Sequence, residues 1–215
     1  MPTIVSRLLL VLGLLGPALQ GVQAQEVNAD LYDAVAPANS AFVRVLNLSS
    51  GVVDVSLSSK KTAQKVGPEQ LGAYRFTPPG KTLLSVGAAR LETDLQANSA
   101  STLLYANGSL TELKDIYVNE PKKAQLAFYN LTDTPTALKT ADGKHEVVAA
   151  IGKAQTGGRM VNEFKIAFAA YAGDRKVASF DEMFLKKGRS YSYVLLPEGS
   201  GYRAISQANA IDPAE

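Results

Sequence analysis

The sequence contains no cysteine and no tryptophan, and it has a single histidine among its 215 residues. Without cysteine there can be no disulfide bond, so an exported form of this chain must be stable through burial alone. Soft thiolate metal ligands and thiol nucleophiles are excluded for the same reason. Tryptophan is the side chain best suited to stacking on a sugar ring, so its absence weighs against a flat glycan-binding platform.

Net charge is also low. The chain carries 22 Lys and Arg against 20 Asp and Glu, which gives a formal net charge of +2. Such a balance offers no electrostatic footprint for nucleic acid and argues against a polybasic membrane-surface protein. Hydrophobic residues make up 46% of the sequence, which excludes a disordered chain.

The first two dozen residues have the pattern of a cleavable signal peptide. Arg7 supplies a positive n-region, Leu8–Leu19 is free of charge, and Val22–Ala24 ends in the small residues that a signal peptidase accepts. The apolar run is about a dozen residues, whereas a membrane span needs roughly 20. A buried N-terminal helix is the alternative. We predict a signal peptide over 1–24, cleavage after Ala24, and no transmembrane span in the exported chain.

Apolar and polar residues alternate along most of the remaining sequence, which predicts β-strands. Leu91, Thr93 and Leu95 face one way within residues 90–96, and residues 53–57 alternate in the same manner. A short helical turn is expected at Pro68–Leu71. Turn-forming residues separate the strands at Ser50-Gly51, Pro78-Pro79-Gly80, Asn107-Gly108, Asp142-Gly143 and Gly173-Asp174. Strands of this length and spacing are typical of β-sandwiches.

The chain also repeats itself. Ala41–Ser49 aligns with Ala124–Thr132, and Leu95–Tyr105 resembles Leu185–Leu195. Inward-facing positions match in the first pair, whereas outward-facing positions differ. We therefore expect the two copies to present different surfaces to different partners. Chance similarity between strands is the alternative reading of the repeat.

Two copies about 85 residues apart predict an all-β chain of two tandem small β-sandwich (Ig-like) domains joined by a short linker. We place the domains at 30–117 and 121–210. The boundary falls between Glu112 and Lys123, where a charged segment contains Pro121. A single sandwich of nine to twelve strands is the alternative.

His145 is the one candidate catalytic base. It lies in the Asp142-x-x-His145 spacing by which some serine esterases and acetyltransferases present an acid and a base. Yet residues 138–148 read as a hairpin with Asp142-Gly143 as its two turn residues, which makes His145 a flanking strand residue. No Gly-x-Ser-x-Gly elbow supplies a serine on a strained turn. We therefore predict no catalytic residue.

No cofactor or metal site is predicted either. Asp181-Glu182 is an adjacent pair whose side chains would point to opposite faces of a strand. Gly157-Gly158 lacks the strand-then-helix context of a phosphate-binding loop, so we interpret these glycines as loop flexibility.

Two features of the sequence bear on glycans: the tyrosines and the Asn-x-Ser/Thr motifs. Five tyrosines could face solvent, but tyrosines in sandwich strands more often pack with only the hydroxyl exposed: Tyr32, Tyr74, Tyr171, Tyr191 and Tyr202. Asn-x-Ser/Thr occurs at Asn47, Asn107 and Asn130. Because Asn47 and Asn130 recur at the same place in the repeat, we interpret them as a shared turn or cap.

Several segments of the mature chain resemble one known family. They are Leu31-Tyr32-Asp33 with Pro37, Ser40–Arg44 with Asn47, Pro78-Pro79-Gly80, Leu138–Lys144 and Val147-Val148. Together they resemble the alginate O-acetylation accessory protein family, AlgF, from about Asp30 to the last strand. Leu138–Lys144 is the most specific part of the resemblance.

The resemblance implies a periplasmic, two-domain β-sandwich protein without catalytic residues. It implies partners as well: a membrane-bound O-acyltransferase and SGNH-type acetyltransferases that acetylate mannuronate hydroxyls during export. Weak contact of this chain with the polysaccharide is a further expectation. The alternative is a stand-alone exported Ig-like surface or glycan-binding module.

Overall fold

The computed structural model describes residues 36–118 and 120–212. This part of the chain forms 19 β-strands and no helix, so the all-β, tandem-sandwich prediction is confirmed. Within the described ranges no helix is long and apolar enough to cross a membrane. The predicted signal peptide, with Arg7 and the cleavage site at Ala24, lies outside the described residues, as does Tyr32.

The first sandwich contains nine strands in two sheets. They are β1 (Ala41–Asn47), β2 (Val53–Leu57), β3 (Gln64–Val66), β4 (Gln70–Leu71), β5 (Arg75–Thr77), β6 (Gly80–Val86), β7 (Ala89–Leu95), β8 (Ala100–Ala106) and β9 (Ser109–Lys114). One sheet has the order β4-β1-β8-β9, with β5 also paired to β1, and the other has the order β3-β2-β6-β7.

The second sandwich follows after residues 115–123. Its strands are β10 (Ala124–Asn130), β11 (Thr136–Thr140), β12 (Glu146–Ile151), β13 (Gln155–Val161), β14 (Phe164–Ile166), β15 (Phe168–Ala172), β16 (Arg175–Ser179), β17 (Met183–Leu185), β18 (Ser190–Glu198) and β19 (Gly201–Ala208). Two four-stranded sheets, β13-β10-β18-β19 and β12-β11-β15-β16, face each other, and β14 pairs with β17.

Each sandwich has its own apolar core, built from the inward positions of the repeat. Val43 and Val45 lie in the first core, and Leu126 and Phe128 take the matching places in the second. Parallel pairing repeats too, since β1 pairs with β8 as β10 pairs with β18. The repeat therefore extends from sequence to topology.

Asn47 and Asn130 form the same buried cap at the ends of β1 and β10. The carboxamide nitrogen of Asn130 donates to the carbonyl oxygens of Thr134 and Ile151, both at 2.8 Å. Its oxygen accepts from the main-chain N–H of Thr132 at 3.0 Å and from the Thr132 hydroxyl at 2.7 Å. Asn47 bonds in the same way, with Ser49 in place of Thr132. The cap interpretation from the repeat is thus supported by geometry.

Two local predictions are wrong. Pro68–Leu71 is not a helical turn: Glu69 has a positive φ of 55°, and the chain then enters β4, which pairs with β1. Gly157 and Gly158 are not in a loop but in the middle of β13. A Cβ on Gly157 would lie 2.4 Å from Cγ1 of Val148, and one on Gly158 would lie 2.7 Å from the Leu126 carbonyl oxygen. These glycines allow close packing of β13.

The two sandwiches belong to one compact unit and bury an apolar interface between them. It is formed by outward-facing residues of the β1 and β10 sheets: Leu46, Leu71 and Leu113 from the first, and Ala127, Tyr129, Leu131, Val194 and Leu196 from the second. Of the outward positions that diverge in the repeat, Arg44 and Ala127 are buried at this interface, whereas Phe42 and Gln125 are partly exposed. Arg44 and Ala127 therefore serve packing between the two copies. That the two copies bind different partners stays a prediction.

Candidate functional site

Within residues 36–118 and 120–212, no catalytic triad forms at His145. The hairpin is present, but its loop spans the five residues 141–145, so His145 lies in the loop and not in the flanking strand. Gly143 N–H donates to the Thr140 carbonyl at 2.7 Å, and Thr140 N–H donates to the His145 carbonyl at 2.9 Å. The two-residue turn predicted at Asp142-Gly143 is corrected to this longer loop.

The Asp142 carboxylate serves the loop and not the imidazole. It accepts from the Thr140 hydroxyl at 2.5 Å and from the Lys144 main-chain N–H at 3.1 Å. These bonds, with the charge of Lys144, lower the pKa of Asp142. Among the described residues no hydrogen bond joins Asp142 to the His145 ring. His145 itself is exposed at the rim of an open groove, with a lining that includes Thr140 but no serine.

Among the candidate glycan-binding tyrosines that the structure describes, none belongs to an exposed platform. Tyr171 and Tyr191 are buried, and their hydroxyls donate to the carbonyl oxygens of Ala141 and Phe184. The hydroxyl of Tyr202 lies 3.2 Å from that of Thr134. Each of these phenols thus serves packing within the second sandwich.

The most unusual polar group lies at the junction between the sandwiches. Arg44 projects outward from β1 and is 2% exposed. Its Nε donates to the Thr102 hydroxyl at 3.0 Å. The two terminal nitrogens reach into the second sandwich, to Asn209 and Ser192 at 2.7 Å and to the Tyr129 hydroxyl at 3.0 Å. One guanidinium therefore links both sandwiches.

Asp115, the first residue after β9, is the counter-charge of this network. Its carboxylate accepts from Tyr74 at 2.6 Å and from Thr102 and Tyr129, each at 2.8 Å. The Tyr74 ring lies under the guanidinium of Arg44, with 4.2 Å between Cζ and the ring centroid. Burial opposes the charge on Arg44, but Tyr74, Tyr129 and Asp115 outweigh it, so the pKa of Arg44 is raised. Arg44 is therefore a permanent cation.

A strap of C-terminal residues, 209–212, closes the junction. After β19 the chain returns to the first sandwich, where the Tyr74 N–H donates to the Ala210 carbonyl and the Asp212 N–H donates to the Tyr74 carbonyl, both at 2.8 Å. Asp212 also lies 3.4 Å from Nε of Arg75, which is buried. The strap thus adds main-chain pairing to the side-chain contacts of Arg44.

Beside this network lies a cleft of about 310 Å³. Its walls come from both sandwiches, from the linker and from the strap: Phe42, Tyr74, Tyr117, Val118, Gln125, Arg189 and Ile211 are among them. Within the described residues there is no group of three or more acidic or histidine side chains that could hold a metal ion. The cleft offers apolar contact and main-chain groups more than reactive ones.

Comparison with known proteins gives the same assignment as the sequence resemblance. Residues 14–192 match a family model described as "Alginate O-acetyl transferase AlgF". The chain is 35% identical over 184 residues to the "Alginate biosynthesis protein AlgF" of Azotobacter vinelandii, which covers 83% of this chain and 81% of that protein. The chain belongs to the AlgF family.

Two solved structures from the AlgF family are also similar to parts of the chain. The C-terminal domain of AlgF from P. aeruginosa is 28% identical, with a TM-score of 0.38, and covers 41% of this chain and 99% of that domain. The N-terminal domain from the same organism is 30% identical, with a TM-score of 0.33, and covers 37% of this chain and 98% of that domain.

In this AlgF-family chain the junction network predicts loss of stability at alkaline pH. Burial is the main reason that the pKa of Tyr74 is well above its ordinary value and that of Tyr129 is also raised. Above about pH 10 the unfolded chain releases phenolic protons that the folded chain retains, so the free energy of unfolding falls as pH rises. Each such tyrosine contributes a slope of about 1.4 kcal/mol per pH unit.

Denaturant unfolding between about pH 9 and pH 12 measures this slope. Tyr74→Phe should make the pH slope of the free energy of unfolding less steep by about 1.4 kcal/mol per pH unit, because the variant has one buried phenol fewer. The part of the tyrosinate absorbance that comes from the buried phenols should rise together with unfolding and not before it. Equal slopes for the two proteins would show that Tyr74 does not resist ionisation.

Sequence reasoning missed the junction network in this family member. From the sequence alone, Arg44 is an outward position where the repeat diverges and the last residue of the segment Ser40–Arg44, and nothing more. One signal was available: a lone arginine sits between Val43 and Val45, inside a strand that is otherwise almost wholly apolar. A charge in such a strand must be paired when both faces are buried. The sequence did not show that the outer face of β1 is buried.

Proposed function

We propose that this protein is a non-catalytic accessory factor in the O-acetylation of a secreted polysaccharide, alginate at its mannuronate residues. Membership of the AlgF family supports the pathway. The family description names a transferase, and we propose that this chain serves that reaction without performing it. This view rests on the environment of His145, the one histidine. His145 is exposed on a loop, and the carboxylate of Asp142 accepts hydrogen bonds from Thr140 and Lys144.

Acetyl transfer needs an activated nucleophile together with a base and donors for the oxyanion. Cysteine is missing from the sequence. The most buried serine of the junction network, Ser192, contacts Arg44 and Asn209, neither of which can take a proton from a hydroxyl. These contacts suit a structural hydroxyl better than a nucleophile.

We propose that the protein works in the periplasm as an adaptor. Its partners would be a membrane-bound O-acyltransferase and SGNH-type acetyltransferases. The signal-peptide pattern around Arg7 and Ala24 supports export. N-terminal sequencing of the native protein should begin at Gln25, and an intact Met1 would contradict this assignment. Any contact with the polymer should be weak, because the candidate tyrosines are engaged in packing.

A strain that lacks this protein tests the role. The unaltered chain should restore acetylation of the polymer, and His145→Ala and Asp142→Asn should restore it to within a few-fold of that level. Loss of a base or of its orienting aspartate typically reduces turnover by several hundred-fold or more. Such a loss in a folded variant would support a catalytic role for His145 and Asp142 and would contradict the accessory role.

The same question can be asked of the protein alone. Purified protein mixed with an activated acetyl donor and the polymer should give no transfer above background, measured as ester formed on the polymer. Sustained turnover by the protein alone would overturn the accessory role.

A further inference from the structure

Exposed large apolar side chains cluster in the linker between the sandwiches. Ile116, Tyr117 and Val118 are consecutive and are 37%, 37% and 41% exposed. Among the described residues the others of this kind are Val52, Leu83, Met160 and Phe184. Isolated exposed apolar residues are normal on soluble proteins, whereas a contiguous group marks an interaction site. We call residues 116–118 the linker strip.

The linker strip is held in place by its neighbours. The side-chain amide of Gln125 donates to the Ile116 carbonyl, and its oxygen accepts from the Val118 N–H at 3.1 Å. The Tyr117 ring stacks on Phe42 with 5.4 Å between centroids. A surface that is already ordered loses little conformational entropy when a partner binds.

Only some of the main-chain N–H and C=O groups of the linker strip form hydrogen bonds with described residues. Gln125 bonds to Ile116 and Val118, two residues apart, as a neighbouring strand would do from one side. The N–H and C=O of Tyr117 make no hydrogen bond to any residue that the structure describes. Free main-chain groups beside an apolar surface are what an added strand uses for docking.

The surroundings of the strip are basic. The Gly188 N–H donates to the Lys123 carbonyl at 2.9 Å, which brings the loop of residues 186–189 beside the end of the linker. Lys123, Arg189 and Glu120 line the cleft, and Lys122, Lys186 and Lys187 adjoin them in sequence. Glu163 accepts from the Lys187 N–H, and Asp115, which precedes the strip, is engaged in the junction network. We call these charged residues the rim. A partner with acidic side chains around its apolar residues would complement this rim.

We propose that the linker strip and the adjoining cleft are the docking site for an extended segment of a partner protein, one with apolar side chains flanked by acidic ones. This inference rests on the accessory function proposed above, in which the partner belongs to the acetylation machinery. An anionic polymer would satisfy the rim cations but leave the apolar strip uncovered, so a protein segment fits the site better.

Matched surface variants test the apolar part of the site. Tyr117→Asn with Val118→Asn removes the strip, and Leu83→Asn with Val52→Asn removes two exposed apolar residues from the first sandwich. Each tagged protein is expressed in a strain that lacks the native one. When each tagged protein is pulled down, the strip variant should recover at least tenfold less of the SGNH-type acetyltransferases and the membrane-bound O-acyltransferase than the control variant does. It should also restore less polymer acetylation.

A charge-reversal pair tests the rim. Lys122→Glu with Lys187→Glu should weaken recovery of the same proteins about tenfold, and added salt should weaken binding of the unaltered chain, because paired surface charges are screened. Lys61→Glu with Lys176→Glu makes the same change in net charge away from the junction and should have little effect. Equal recovery by both pairs would contradict the basic rim.

Photocrosslinking keeps the test decisive if a variant folds poorly. A benzoylphenylalanine in place of Val118 should crosslink to an acetyltransferase, whereas one in place of Val52 should not. If the unaltered chain restores acetylation and recovers the machinery but the strip variant does so equally well, the site is wrong and the function stands. If the unaltered chain does neither, the function is wrong. If the strip variant lost binding to purified polymer but still recovered the acetyltransferases, the proposal of a protein partner at this site would be overturned.

Discussion

Replacing Arg44 with methionine should lower the free energy of unfolding by about 3–5 kcal/mol. The guanidinium makes four hydrogen bonds, and three of them cross to the second sandwich. Methionine fills a similar volume but leaves Asp115 without the cation that balances it. Removing one partner of a buried charged network costs more than the network itself contributes, because the remaining charge is uncompensated.

Denaturant unfolding measures this change in the free energy of unfolding, and calorimetry provides a second measurement. Arg90→Met is the matched control, since Arg90 is exposed and makes one hydrogen bond at 3.3 Å, and it should change stability by less than about 0.5 kcal/mol. Arg44→Lys should fall between the two, because it keeps the charge but loses the forked donors. A loss below about 1 kcal/mol for Arg44→Met would show that the junction does not depend on this network.

Asn130→Ala should cost about 2–4 kcal/mol, through a different mechanism. The buried carboxamide satisfies two carbonyl oxygens, one N–H and one hydroxyl. Alanine leaves those groups without their partner, and the N–H and hydroxyl of Thr132 are buried. Asn47→Ala should have a similar cost, because Asn47 bonds three carbonyl oxygens and both donors of Ser49.

Asn107→Gly is the control for both asparagine variants. Asn107 is exposed in the turn between β8 and β9, where it has a positive φ of 50° that glycine adopts readily. Its stability change should stay within about 0.5 kcal/mol. If Asn47→Ala or Asn130→Ala behaved like Asn107→Gly, the caps would be incidental to the fold.

Features set by neighbours in the sequence were predictable. The alternation of Val43 and Val45, matched by Leu126 and Phe128, identified the inward faces because side chains alternate along a strand. Asn107-Gly108 marked a tight turn, and both residues have positive φ values, 50° and 73°.

Features set by distant partners were not predictable. The two residues of β4 form a strand only because β1 lies beside them, so local propensity favoured a turn of helix instead. Gly157 and Gly158 resembled a flexible loop, yet Val148 and the Leu126 carbonyl leave no room there for a side chain. Arg44, Tyr74 and Asp115 are far apart in sequence, and the folding of the first sandwich brings them together. The packing of the second sandwich then adds Tyr129, Ser192 and Asn209 to Arg44.

The junction joins equivalent faces of two related domains, as the interface of a twofold-symmetric dimer would do. Arg44 and Ala127 are aligned in the repeat, and only one of them carries charge. A dimer of identical chains must place the same residue on both faces and dissociates on dilution. Here nine linker residues connect the halves, so each face meets the other at an effective concentration on the order of millimolar, whatever the abundance of the protein.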